Sequence, residues 1–168
     1  MKINGRAIKF GNDIDTDVIL PGKYLVLVEP KELAKHAMAG LDSQFPEKAK
    51  KGIIVVGGKN FGCGSSREQA PIALKYSGVK CVLADSFARI FFRNAINIGL
   101  PVIECEGISK LVNNDDELII DINQGKIQNL TKDKNLQVNK LPPFIIKILN
   151  DGGLIENLRR RMNKNERV

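Results

Sequence analysis

With 168 residues, 43% of them hydrophobic and 27% charged, the chain is long enough for one domain with a sizeable core and has an ordinary globular composition. A net charge of +7 invites a nucleic-acid partner, but 5% aromatic content without Trp makes a poor stacking surface, and no RNA- or DNA-binding motif accompanies the charge. No stretch approaches the roughly 18 apolar residues of a membrane-spanning helix, and the opening Met-Lys-Ile-Asn-Gly-Arg lacks the apolar region of a secretory leader, so a cytoplasmic protein with no membrane partner is expected.

In chain order, Lys2 to Phe10 alternates as a strand and ends at Gly11-Asn-Asp13. The acidic turn Asp13-Ile-Asp-Thr-Asp17 leads into the apolar Val18-Ile-Leu20, and Pro21-Gly22 breaks the chain before a short apolar segment, Lys23 to Val28. Pro30 to Ala39 has helix character, with Pro30 in the first turn and Gly40 as the stop. A polar connection over residues 40–52 precedes Ile53-Ile-Val-Val56, a β-branched run of the buried-strand kind. A glycine loop, Asn60 to Pro71, follows, and a helix is expected from Arg67 to Tyr76 with Gly78 after it. Val79 to Ala84 reads as a strand, Ser86 to Ile98 as a helix capped by Ser86, and Leu100 to Cys105 as another strand.

That alternation predicts an α/β fold, a partly parallel sheet with flanking helices and right-handed crossovers. From Ser109 the character changes. Asp116–Ile122 and Gly125–Leu130 read as a hairpin turning at Asn123-Gln-Gly125, and Asn135–Asn139 as a further strand. Leu141-Pro-Pro opens a closing helix, Phe144 to Asn150. Residues 157–168, with Arg159-Arg-Arg161 and Arg167, read as a basic, frayed tail. There is no internal repeat, so residues 1–168 read as a single domain.

The three cysteines, Cys63, Cys81 and Cys105, form no CxxC, and His36 is the only histidine. The chain therefore offers no metal site and no cofactor site of its own. Cys81 and Cys105 lie in apolar runs and read as buried thiols acting as small hydrophobes. Cys63, in the glycine loop, has no neighbouring histidine to make it a thiolate.

The glycine loop carries Ser65, Ser66 and Arg67 in a row, just ahead of a helix. A phosphate cradle would use the backbone N–H groups there, but the lysine of a P-loop is missing. A serine hydrolase would need a histidine base and the G-x-S-x-G elbow, and neither is present. Two readings stay open on the residues alone. One is a carboxylate site, with Arg67 gripping bidentately beside the Ser65 and Ser66 hydroxyls; the other is a turn capped by Ser66 with Arg67 in water.

The stretch FGCGSSREQAP, followed by VLADSFARIFFRNAINIGLPVI and preceded by GNDIDTDVILPGKYL, resembles in wording and order the small subunits of 3-isopropylmalate dehydratase, in the aconitase superfamily. The resemblance is strongest from residue 5 to residue 105, and the chain's size is similar to the shorter, archaeal type. It implies a swivelling β/β/α domain like the aconitase C-terminal domain. It also implies a partner, a large subunit carrying a 4Fe–4S cluster, with which alone the chain is active. The implied reaction is that of a hydro-lyase of leucine biosynthesis: a 2-hydroxy dicarboxylate loses water to an alkene, and water returns with the hydroxyl on the neighbouring carbon. By position in the motif Ser65 corresponds to the catalytic base, acting as an alkoxide, while Ser66 and Arg67 correspond to carboxylate holders. Asp17 matches an active-site aspartate, expected to orient Ser65 or Arg67, or only to cap a turn.

Tyr24-Leu25-Val26-Leu27 falls where that family varies with substrate, and relatives that act on homoaconitate resemble YLRT there, with arginine in place of Val26. Val26 cannot pair with a third carboxylate, whose unpaired burial costs several kcal/mol. Packed on an isopropyl group it contributes roughly 1–3 kcal/mol. The expected substrates are therefore 2- and 3-isopropylmalate. Citramalate-type dehydratase and homoaconitase subunits are the nearer alternatives, a non-catalytic nucleic-acid module the distant one, and a plain core strand the structural alternative for residues 24–27.

Overall fold

A computed structural model describes residues 1–165 of the chain. Its centre is one seven-stranded sheet of order β4-β3-β2-β1-β5-β6-β7. The strands are β1 (Lys2–Lys9), β2 (Ile53–Gly57), β3 (Val79–Ala84), β4 (Val102–Glu104), β5 (Glu117–Asp121), β6 (Lys126–Asn129) and β7 (Lys134–Gln137). Strands β1 to β4 run parallel to one another, while β5, β6 and β7 continue the sheet antiparallel from β1. The helices are α1 (Thr16–Ile19), α2 (Pro30–Ala34), α3 (Phe45–Ala49), α4 (Gln69–Ser77), α5 (Arg89–Asn97), α6 (Ile108–Leu111), α7 (Pro143–Asp151) and α8 (Leu154–Asn165).

Strand β2 shows why its sequence does not alternate. Ile53 and Val55 pack with Leu33, Phe45, Leu74 and Phe91 from the helices on one face. Ile54 and Val56 pack with Cys81, Leu83, Ile108 and Leu118 on the other. All five β2 residues are buried, because a parallel strand covered on both faces needs apolar side chains in both directions. Each such Val or Ile contributes roughly 1.5–3 kcal/mol by leaving water. Strand β5 behaves otherwise: Leu118 and Ile120 are buried while Glu117 is exposed, the alternation of a sheet with one wet face.

The expected α/β sheet is present, and the departures from the expected elements are local. The helix from Pro30 stops at Ala34 instead of Ala39. Met38 turns back with φ 58° so that its N–H reaches the Ile19 carbonyl at 2.7 Å. Gly40 bonds the Val18 carbonyl at 3.1 Å, and a Cβ there would lie 2.7 Å from Val18 Cα. Tertiary hydrogen bonds to α1 thus end a helix that propensity alone would have continued. The connection over residues 40–52 contains α3, nucleated by the fully buried Phe45. The helix expected from Arg67 begins at Gln69, with Glu68 rather than Ser66 at its cap position. The helix expected from Ser86 begins at Arg89, because Ser86 Oγ accepts instead from the Asn60 N–H at 2.9 Å. The last strand lies at Lys134–Gln137 rather than Asn135–Asn139, and α7 runs from Pro143 to Asp151. Helix α8 occupies most of the stretch read as a tail; residues 166–168 of that stretch lie outside the described residues. Among the described residues no helix is long and apolar enough to cross a membrane.

Parallel strands deliver their following loops to one edge, and here the loops after β1, β2 and β3 are laced together there. Asp13 N–H bonds the Lys59 carbonyl at 2.8 Å, Gly62 N–H the Ile14 carbonyl at 2.7 Å, and Thr16 N–H the Cys63 carbonyl at 2.8 Å. Phe61 receives Ala88 N–H on its carbonyl and gives its own N–H to Ser86. Its ring is fully buried, edge-on to Phe91 at 5.4 Å. Gly62, at φ +79°, must be glycine: a Cβ would sit 2.1 Å from Phe91 Cγ.

Candidate active site

The laced loops bring Thr16, Asp17, Ser65 and Arg67 into one hydrogen-bonded corner at the carboxyl ends of β1 and β2, the edge where open parallel sheets bind ligands. Arg67 organises it. Its Nε donates to Ser65 Oγ at 2.6 Å, its Nη1 to Asp17 Oδ1 at 2.7 Å and to the Leu20 carbonyl at 3.0 Å, and its Nη2 to Asp17 Oδ2 at 3.1 Å. The Arg67 side chain is 14% exposed and the Asp17 side chain 64% exposed. An ion pair that wet on one side adds at most about 1 kcal/mol, so its consequence is orientation. The fork of Asp17 and the Leu20 carbonyl, at the end of α1, fixes the guanidinium plane and with it the direction of Nε–H.

The guanidinium is nearly saturated. Of its five N–H groups four are engaged, leaving one on Nη2. The bidentate face that the sequence suggested for a ligand carboxylate is held by Asp17. Ser66 is exposed, and its carbonyl accepts from Asn94 Nδ2 of α5 at 3.1 Å, which holds the loop without engaging the hydroxyl. The reading of this stretch as a turn capped by Ser66 with Arg67 in water does not describe the structure.

Ser65 itself is exposed at the surface of the corner. Its Oγ lies 3.1 Å from Thr16 Oγ1, and its N–H donates to that same oxygen at 3.1 Å. Arg67 Nε–H gives Ser65 a charge-assisted donor, which stabilises negative charge on oxygen. Asp15 and Asp13 act as turn formers: Asp15 Oδ1 caps α1 by accepting from Val18 N–H at 2.7 Å, and Asp13 accepts from Asn60 Nδ2 at 3.0 Å. Partial burial, aided by the charges of Asp15 and Asp13, pushes the Cys63 thiol above its ordinary pKa and keeps it protonated. Cys81 and Cys105 are buried, and burial raises both of their pKa values as well.

The segment Tyr24–Leu27 is not a core strand. Tyr24 closes a 3-10 turn over Gly22–Tyr24, and its ring stacks on His36 with centroids 3.7 Å apart. Leu25 and Leu27 pack against the edge of the core, while Val26 is 82% and Val28 86% exposed. The turn starts beside the corner, since a Cβ at Gly22 would lie 3.7 Å from Asp17 Oδ1. Sequence reasoning brought Ser65, Arg67 and Asp17 forward but passed over Thr16, Asn94 and the stacking role of His36. For Thr16 a signal existed, its place beside Asp17 in Asp-Thr-Asp; for Asn94 and His36 only the fold reveals the contact. Among the described residues, no group of three or more His, Cys, Asp or Glu side chains is placed to hold a metal ion.

The sequence profile of the aconitase C-terminal domain matches residues 19–107, which takes in the glycine loop and the Tyr24–Leu27 segment. The chain is 56% identical to an isopropylmalate/citramalate isomerase small subunit of Methanocaldococcus jannaschii, with 98% of each chain covered. It is 53% identical to a 3-isopropylmalate dehydratase small subunit of Thermodesulfovibrio yellowstonii, over 97% of each. A crystal structure of 3-isopropylmalate dehydratase from M. jannaschii, 47% identical, superimposes with a TM-score of 0.94 over 99% of both chains.

Proposed function

The chain belongs to the family of 3-isopropylmalate dehydratase small subunits, in the aconitase superfamily, and from that premise we propose how its own residues serve the reaction. It is a subunit of a hydro-lyase of leucine biosynthesis, which interconverts 2- and 3-isopropylmalate by dehydration and rehydration. A subunit of this kind acts with a large subunit, and we assign the 4Fe–4S cluster to that partner. The cluster supplies a Lewis acid for the departing hydroxyl. The three free cysteines, Cys63, Cys81 and Cys105, fit a reducing, cytoplasmic setting.

Ser65 takes the proton from carbon and later returns it. A serine hydroxyl is far too weak an acid to do so unassisted, so its alkoxide needs a preorganised donor. The observation that carries the assignment is Arg67 Nε at 2.6 Å from Ser65 Oγ, aimed by the bidentate grip of Asp17 on the same guanidinium. Asp17 thus orients Arg67, and through it Ser65. The remaining Nη2 N–H of Arg67 and the Ser66 hydroxyl are left for one substrate carboxylate. Tyr24, Leu25, Val26 and Leu27 form a platform beside the corner, and the protruding Val26 meets the substrate's alkyl group once the large subunit covers the loop.

The test is Ser65→Ala in enzyme reconstituted anaerobically with the large subunit. Turnover is expected to vanish while the two subunits still co-purify; retained turnover removes Ser65 from the role of base. A second substrate is favoured by the naming of the M. jannaschii relative as an isopropylmalate/citramalate isomerase subunit and by the apolar Val26, which accommodates a methyl group as readily as an isopropyl one. A panel of isopropylmalate, citramalate and homocitrate separates the readings, with the tricarboxylate expected to be the poorest.

A further inference from the structure

We propose that Thr16 is a positioning residue for Ser65, its hydroxyl serving as the second of two donors that hold the serine oxygen as an alkoxide. The proposal rests on the reading of Ser65 as the base. Thr16 opens α1 and is 1% exposed, a polar side chain buried against a surface corner. Its backbone N–H is committed to the Cys63 carbonyl at 2.8 Å, so the hydroxyl is aligned from the glycine loop itself. Among the described residues, each hydrogen-bond partner of that hydroxyl belongs to Ser65: the N–H at 3.1 Å, Oγ at 3.1 Å and the carbonyl oxygen at 3.4 Å.

A threonine hydroxyl has one proton and two lone pairs. One lone pair is taken by the Ser65 N–H. Either hydroxyl can donate across the 3.1 Å contact; while Ser65 is protonated its own hydroxyl can donate to Thr16 Oγ1, and in that arrangement the Thr16 proton is left to the long contact with the Ser65 carbonyl. When Ser65 gives its proton back to the substrate carbon, or in the free enzyme to water, its oxygen can only accept. The Thr16 proton then rotates from a 3.4 Å contact to a 3.1 Å contact with a charged acceptor, a change that favours the alkoxide over the hydroxyl. An alkoxide oxygen offers three acceptor directions beyond its carbon. Arg67 Nε–H occupies one and Thr16 Oγ1–H a second, which leaves one for the proton of the substrate. The branched Cβ of Thr16 stiffens χ1 and keeps the hydroxyl in this place.

Thr16→Val, Thr16→Ser and Ser65→Ala, each reconstituted with the large subunit, test this through kcat, KM and the dependence of kcat on pH. For Thr16→Val we expect kcat to fall roughly 10- to 100-fold with KM nearly unchanged, short of the effect of losing a whole oxyanion donor. The rise of kcat with pH should move upward by about one unit, the equivalent of a tenfold weaker acid. Thr16→Ser should recover most of kcat and the original profile, because it restores the hydroxyl without the methyl. A Thr16→Val enzyme with unaltered kcat and pH profile overturns the proposal. So does a Thr16→Ser enzyme as impaired as the valine variant with its profile unmoved, since that pattern belongs to a purely structural contact. Active Ser65→Ala enzyme sinks the assignment of Ser65 itself, whereas inactive Ser65→Ala beside unaffected Thr16→Val sinks only the role of Thr16.

Discussion

Strands β2 and β3 of the parallel half are buried on both faces, whereas β5 of the antiparallel half alternates buried and solvated residues and the edge strand β7 is largely exposed. The two halves share β1 and a single sheet, yet their polar groups do different things. Because parallel strands all end at one edge, the loops after β1, β2 and β3 converge, and an aspartate comes within bonding distance of an arginine 50 positions on, which in turn holds a serine of its own loop. Hairpins send successive loops to opposite edges, so the antiparallel half gathers no such set. Its buried polar groups are Asp116 and Asn129; Asp116 accepts from Asn113 N–H at 2.9 Å and Asn129 Nδ2 at 2.6 Å and pairs with Lys132 Nζ at 3.2 Å. One network holds the exposed Ser65 hydroxyl at the surface; the other closes a turn.

Changes at the Arg67 corner and at Asp116 should therefore separate into loss of turnover and loss of stability, whereas Gly62, which supports the corner, is expected to affect both. The largest effect is expected from Arg67→Lys, which keeps the charge but cannot give Nε–H to Ser65 while clasping Asp17 in two places. Removal of one oxyanion donor costs roughly 10²–10³ in kcat, and the reconstituted variant should lose that much with little change in its thermal melt. Should activity survive, the guanidinium geometry is not what activates Ser65. Next, Gly62→Ala forces a β-carbon against the Phe91 ring at a left-handed φ, and overpacking of this kind costs roughly 1–3 kcal/mol with strain in addition. Chemical denaturation should show it, together with lost activity because the loop carries Ser65.

In the other half, Asp116→Asn should destabilise by about 1–3 kcal/mol at neutral pH and leave kcat unchanged. Burial opposes the charged form of Asp116, but the donors from Asn113, Asn129 and Lys132 prevail and hold its carboxyl below the ordinary carboxylate value. A depressed folded-state pKa contributes stability that is complete above the unfolded value near ~3.9 and is lost as pH falls through the lower folded one. Denaturation of both proteins across that acid window should show the gap between wild type and variant closing; a gap independent of pH would mean that packing, not charge, holds Asp116. The smallest change in stability is expected from Val26→Arg, within about 0.5 kcal/mol for so exposed a position. Its readout is substrate preference, which should move toward the tricarboxylate; an unmoved preference would place the specificity contact elsewhere.

Much of this was legible in the sequence. The β-branched run at Ile53–Val56, the Gly stops after α4 and α5, and the hairpin of β5 and β6 each follow from burial, from turn chemistry or from a backbone angle that few residues tolerate, so local chemistry determined them. The glycine-loop motif likewise singled out Ser65 and Arg67, and the resemblance it carries brought Asp17 with it. Three-dimensional contacts decided the rest. Helix α2 ends early because Met38 and Gly40 find carbonyls of α1, and Ser86 gives up a helix cap for Asn60. Arg67 gives its Nε edge to Ser65 and its fork to Asp17, fifty positions away. A hydrogen bond's donor and acceptor are written in the residue types, but which of several competing partners is reached depends on where the folded backbone sets them, and only the assembled sheet sets it.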